Sequence, residues 1–210
     1  MTVSTLERED SRTITKMDVL EAIETRRSIG KVLPDLPPRA AIEEVLEAAS
    51  WAPNHHVTEP WRFVVIAGEA REAFGEVMAR SKVAGMDPAV KDIPAEYERA
   101  KNKALRAPVV IAVAVEIQSG SKAVEIEEVA AGAAAVQNLL LAAHSLGLAA
   151  IWRTGDAAYD PDVKAFLGFK PSDHVLGFVY LGYPAIVPLR AKHTPAAELT
   201  RWLGWDGPGA

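Results

Sequence analysis

EEVAAGAAAVQNLLLAAHSLGLAAIWRTG, residues Glu127 to Gly155, decides the fold. Between Val129 and Leu146 only Gln137, Asn138, His144 and Ser145 interrupt a run of apolar and small residues. Such a stretch has no polar face to offer water, so the helix it predicts belongs inside the protein. The Ala and Gly run from Ala130 to Ala135 lets a neighbouring backbone come close. Gly147 ends the helix, because glycine takes the left-handed conformation without steric cost. Leu148 to Trp152 then reads as a short buried strand that carries a charged and aromatic tip, Trp152-Arg153-Thr154-Gly155, at its end.

On either side of this stretch, helical and strand patterns alternate. Met17 to Arg27 is a predicted helix, with Asp18 at its start and Val19, Leu20 and Ile23 at helical spacing. Three prolines make Leu33 to Pro38 a loop, and Arg39 to Trp51 returns to helix with Ile42, Val45, Leu46 and Ala49 on its apolar side. Further strands are predicted at residues 62–67, 108–116 and 174–181, and PVVIAVAVE at 108–116 has the unbroken β-branched character of a strand covered on both faces. Two helical pieces fill residues 69–106 around a break at Gly85 to Pro88. Short helices are predicted at Pro161 to Leu167 and Ala196 to Leu203. The alternation implies a central sheet covered by helices. Residues 1–16 read as a loose tail and 17–210 as a single domain.

Composition narrows the function. With 49% hydrophobic and 24% charged residues the chain can support a sizeable core. A formal net charge of −5 gives no general attraction to nucleic acid or an anionic membrane, and no run reaches the ~18 consecutive apolar residues of a membrane helix. The first residues are polar and lack the apolar core of a secretory signal, so a cytoplasmic location is expected. The chain has no cysteine, which removes disulfides, thiolate nucleophiles, cysteine-ligated zinc and iron–sulfur clusters. Redox chemistry would therefore need a bound cofactor.

Several common sites are missing from the sequence: GxGxxG after a strand, GxxxxGK[ST], GxSxG and HExxH. Adjacent His55 and His56 have no third ligand at a recognisable spacing, so hydrogen bonding to a ligand or to loop backbone is preferred over metal. Arg26-Arg27-Ser28, at a helix-to-loop junction, suits a phosphate, because guanidinium offers paired donors and a charge that does not titrate away. Basic residues that complement the negative end of a helix would leave the same pattern. The charged segment containing Arg99, Lys101, Lys103 and Arg106 reads as a solvated face.

Three segments taken in order resemble the nitroreductase family of FMN-dependent oxidoreductases. They are AIETRRSIGK (22–31), AASWAPNHHVTEPWRFVVI (48–66), and GLAAIWRTG (147–155) with LGFVYLGYPA (176–185). The resemblance implies an α+β fold, a three-layer-like sandwich with a mixed, mostly antiparallel sheet. It also implies a homodimer with FMN at the subunit interface, NADH or NADPH as electron donor, and a small nitroaromatic, quinone or similar acceptor. The same scaffold supports dehalogenation, flavin cleavage, dehydrogenation or flavin storage. Carried over by position, Arg26, Arg27 and Ser28 would meet the phosphate side or polar edge of FMN. Trp51 and His55 would approach from the second segment, and Trp152, Arg153 and Thr154 would complete the site; no residue is expected to act as a catalyst apart from the flavin. Many members carry a base two positions after the serine, where this chain has Gly30. Arg190 and Lys192 are both candidates for a further phosphate contact.

Overall fold

The computed structural model describes residues 17–84, 86–87, 92–118, 120, 122–188 and 192–204. The expected loose tail at 1–16 lies outside them, as do Gly85, Pro88 and Arg190. In chain order the elements are α1 (Val19–Thr25), α2 (Arg39–Ser50), β1 (Trp61–Ala67), α3 (Ala70–Ala84), α4 (Ile93–Lys101) and β2 (Val109–Val115). Then follow α5 (Glu125–Ser145), β3 (Ala149–Arg153), α6 (Pro161–Phe166), β4 (His174–Gly182) and α7 (Ala196–Leu199). Aspartates begin three of the helices: Asp18, Asp92 and Asp160 accept hydrogen bonds from first-turn amides of α1, α4 and α6.

The strands lie in the order β1-β2-β4-β3, and every pair is antiparallel. The only parallel pairing among the described residues is a single bridge between Ser28 and Ala150. All seven residues of β2 are buried, as their β-branched run requires. Its alternate side chains enter two cores. Val109, Ile111 and Val113 face α2 and α5, whereas Val110, Ala112 and Ala114 face Phe74, Val77 and Met78 of α3 and Val163 of α6. The fold is thus an α+β sandwich of helix, sheet and helix layers.

The 21 residues of α5 have the length and mean hydropathy, 1.2, to cross a bilayer, but packing explains their apolarity. Ala131, Ala135, Val136, Leu139 and Ala143 are buried with residues of the sheet and α2. A β-carbon on Gly132 would stand 2.7 Å from Cδ1 of Leu176 and closer still to Val115, so this turn needs glycine to reach the sheet. The helix stops at Gly147, whose φ is +73°.

The first helix departs from its expected role. It is shorter than Met17 to Arg27, and its periodic residues Val19, Leu20 and Ile23 are exposed; only Ala22 is buried. Helical spacing defines a face but does not say what covers it, and within one chain nothing described covers this one.

Candidate functional site

After α1 the chain turns and lies along β3. The Ile29 amide donates to the Ala150 carbonyl at 3.1 Å, and Ser28 pairs with Ala150 in the parallel bridge. Two residues further on, a β-carbon on Gly30 would lie 2.9 Å from Nη2 of Arg153. The first and third segments picked out in the sequence therefore meet: Arg26, Ser28 and Gly30 run beside the strand that ends in Trp152-Arg153-Thr154.

The two adjacent arginines behave differently. Arg27 folds back and donates from Nη1 to the carbonyls of Glu24 and Arg26, both at 2.7 Å, complementing the end of α1. Arg26 is half-buried, and its guanidinium has no hydrogen bond or ion pair with any described residue. Burial first, then the Arg27 charge, lowers its pKa from the ordinary arginine value. Beside them at the C-terminal end of α5, Nε2 of His144 stands 2.8 Å from the Thr25 hydroxyl. Burial and the charges of Arg26 and Arg27 lower its pKa, against a smaller opposing effect of Glu21. Half-buried positive charge without a counter-charge is costly, and an anion would relieve it.

Alternation along β3 sends Ala150 toward the α5 core and Ile151 toward the opposite one. Arg153 follows Ile151 and, with Thr154, lines a recess of about 280 Å³ floored by Met78 and Phe178. The Trp152 indole is committed to the sheet, its Nε1 donating to the Leu176 carbonyl at 2.9 Å, so only its ring is available to a ligand. Gly177 opposite has φ +135°, and a β-carbon there would strike the Arg153 carbonyl.

Trp51 and His55 occupy another place. Trp51 ends α2 with 78% of its surface exposed, its Nε1 donating to Glu47 Oε1 at 3.0 Å. His55 lines a second recess, about 290 Å³, with Asn54, Glu127, Ala130 and Ala134. His56, Val57 and Glu59 beside it all have positive φ, and a β-branched residue such as Val57 at +53° is a strained one. The loop is fastened by Thr58, whose hydroxyl donates at 2.8 Å to Oε1 of Glu128, and by the Glu59 amide, which donates to Asn54 at 3.0 Å. Glu128 is 4% exposed and its Oε2 has no partner among the described residues. Ala130 and Ala134 stand 10 to 14 residues before His144 on α5, roughly 15–20 Å at 1.5 Å per residue. Within one chain Ser28 and Gly30 therefore lie against the strand that carries Arg153 and Thr154, Arg26 lies with His144 at the C-terminal end of α5, and His55 lies toward the other end of that helix.

Lys103 and Arg106, read in the sequence as part of a solvated face, line the recess with Arg153. Their position follows from the chain passing from α4 into β2 beside the β3 tip, which no local pattern encodes. Among the described residues no group of three or more His, Asp or Glu is placed to hold a metal ion.

Comparison with known proteins identifies the family. The sequence profile of the Nitroreductase family matches residues 23–183. A curated Escherichia coli K12 protein, named "Putative NAD(P)H nitroreductase YdjA", is 33% identical over 180 residues, covering 85% of this chain and 95% of its own length. Among solved structures, a nitroreductase-like family protein from Bacillus cereus superposes with a TM-score of 0.79 at 24% identity, covering 90% of this chain and 98% of its own. A nitroreductase with bound FMN from Bacteroides fragilis NCTC 9343 gives 0.67 at 26% identity, covering 89% and 99%. With a matching profile over more than half its length, relatives aligned almost end to end and the same three-layer fold, this chain belongs to the nitroreductase family.

Proposed function

We propose that the protein is an FMN-dependent oxidoreductase that takes reducing equivalents from NADH or NADPH and passes them to nitroaromatic, quinone or similar electron-poor acceptors. Donor and acceptor use one pocket in turn, and the working form is a homodimer with FMN at the subunit interface. One observation supports the reading: the bridge from Ser28 to Ala150 and the approach of Gly30 to Arg153 lay the chain that follows Arg26 against the strand ending in Arg153 and Thr154. Relatives named as NAD(P)H nitroreductases and the FMN-bound structure from Bacteroides fragilis support it.

The residues suit a flavin mononucleotide. Arg26 offers a planar, cationic fork to a phosphate, whose negative charge would offset the cost of its half-burial beside Arg27. Ser28 and Thr154 offer hydroxyls and are exposed. Arg153 brings positive charge to the edge where Gly30 leaves room, and a fixed cation there favours an anionic reduced ring. When bound, FMN supplies the reversible two-electron chemistry; the chain supplies binding, orientation and charge. Trp51 and His55 reach the site from the second subunit, which accounts for their separation from Arg26 within one chain and for the exposure of Trp51.

The deciding experiment is an absorption spectrum before and after anaerobic NAD(P)H. The purified protein should be yellow and should bleach. A colourless preparation that takes up no added FMN ends the proposal.

A further inference from the structure

The recess at the end of β3 is unusual in its charge. Lys82 from α3, Lys103 and Arg106 from the segment around the end of α4, and Arg153 from β3 face it, and Asp156 is the only carboxylate among the described residues of its lining. Lys82 is paired with Asp156 at 3.0 Å. Lys103, Arg106 and Arg153 have no ion pair or side-chain hydrogen bond with any described residue. Four cations therefore face one carboxylate, Asp156, which Lys82 pairs with directly and Lys103 reaches only by charge at longer range.

A second observation points the same way. Tyr180 on β4 is 5% exposed, lines the recess, and its hydroxyl has no hydrogen-bond partner among the described residues. Its ring is buried while the hydroxyl oxygen keeps solvent contact at the recess, where a ligand oxygen can accept its proton. Burial holds the phenol above its ordinary pKa, against the opposing pull of Arg106 and Arg153, so at neutral pH it is a proton donor facing positive charge. Oxyanion oxygens are the one kind of group that satisfies both a phenol donor and a set of cations. The floor is apolar, with Met78, Ala100 and Phe178, which suits the organic part of such a ligand rather than a bare ion in water.

We propose that this recess is a binding site for a phosphate-bearing ligand, held by Lys103, Arg106 and Arg153 and completed by a hydrogen bond from the Tyr180 hydroxyl. Two sources share this chemistry: the phosphates of the nicotinamide dinucleotide, and free phosphate or pyrophosphate. Assignment to the dinucleotide rests on the flavin oxidoreductase reading, because the recess adjoins Thr154 and Gly155; oxyanion binding itself does not.

Two measurements on the protein as purified test the proposal. In calorimetry with inorganic pyrophosphate, wild type should bind and the Lys103→Ala/Arg106→Ala double variant should lose about tenfold or more in affinity. Tyr180→Phe should lose severalfold, and Arg106→Lys should retain most of the binding. Lys103 is half-buried and Arg106 exposed, so their replacement leaves the core intact. In steady-state assays the double variant should raise KM for the dinucleotide with little change in kcat. A rise for NADPH alone identifies its extra phosphate, and an equal rise for NADH identifies the shared pyrophosphate. Weaker pyrophosphate binding with both KM values unchanged identifies a free phosphate as the ligand. A double variant that matches wild type in both measurements overturns the proposal. Calorimetry needs no redox activity, so a colourless protein would sink the flavin reading and leave this one standing or falling by itself.

Discussion

Gly30 and Arg153 share one space: a β-carbon on the first would lie 2.9 Å from Nη2 of the second. The obstructing atom is the far end of a flexible side chain, and Gly30 itself is exposed. Its backbone lies outside the left-handed region, so alanine is conformationally acceptable there. Gly30→Ala should therefore leave thermal stability unchanged or raise it by up to about 1 kcal/mol, through a less flexible unfolded chain. It should displace the Arg153 guanidinium and weaken FMN binding severalfold, read by quenching of flavin fluorescence. Unaltered FMN affinity would show that the Arg153 position is irrelevant to the cofactor.

Arg26 and Arg27 should separate cleanly. Arg26→Ala removes a half-buried charge with no described partner, so stability should hold while FMN affinity falls by about 10–100-fold, the worth of one or two charge-assisted hydrogen bonds. Arg27→Ala removes donors to the last carbonyls of α1 and should cost about 0.5–1 kcal/mol of stability, with a smaller effect on FMN. Flavin-to-protein ratios and melting curves on both variants make the comparison. Full flavin occupancy in Arg26→Ala contradicts the phosphate assignment.

What the sequence made legible follows from how local each signal is. The α5 helix, its stop at Gly147 and the buried strands β2 and β4 rest on unbroken apolar runs that only a core can accommodate, and all were readable. That the segment after Arg26 lies along the strand ending in Arg153 came from family resemblance, because no spacing in the chain encodes the Ser28–Ala150 bridge. Lys103 and Arg106 looked like surface, since a charge run reads the same whether it meets water or a concavity lined by another element. Trp152 was readable as an aromatic at the tip, but not its bond to the Leu176 carbonyl, which depends on the β3–β4 register.

The loop that carries His55 should respond to its fastening. Thr58→Val would leave the buried Glu128 carboxylate without its hydroxyl donor, a loss of about 1–3 kcal/mol in urea denaturation. Val57→Gly acts in the opposite direction: it relieves a β-branched residue at φ +53° and should gain up to about 1 kcal/mol. If Thr58→Val costs nothing, the bond to Glu128 does not hold the loop.

His144 should make stability fall on the acid side. Its folded pKa lies below the ordinary 6.5 because burial, Arg26 and Arg27 disfavour the imidazolium, with Glu21 opposing. Above pH 6.5 both folded and unfolded chains hold the neutral ring, and His144 contributes no slope. As pH falls below 6.5 the unfolded chain takes up the proton first, and stability is lost until the folded ring also titrates. His144→Gln should flatten this part of the profile. An anion bound against Arg26 would offset the repulsion, so saturating FMN should move the His144 titration, followed by NMR, back up. A pH profile that His144→Gln does not alter refutes the assignment.

The separation of Arg26 from His55 within one chain permits a sharper test of the dimeric site. Arg26 lies with His144 near the C-terminal end of α5, and His55 lies over Glu127 to Ala134 near the other. If one site takes Arg26 from one subunit and His55 from the other, a heterodimer of Arg26→Ala and His55→Ala chains contains one intact site and one doubly altered site. If both residues come from the same chain, neither site is intact. Random mixing makes about half of the dimers mixed, so the composite arrangement predicts recovery of roughly a quarter of wild-type flavin sites. Each variant alone should bind FMN poorly, and mixing after mild dissociation should restore the yellow colour to that level. No recovery, with heterodimers verified by mass, would mean that the two residues do not meet across the interface, and the proposed shared site would fall with them.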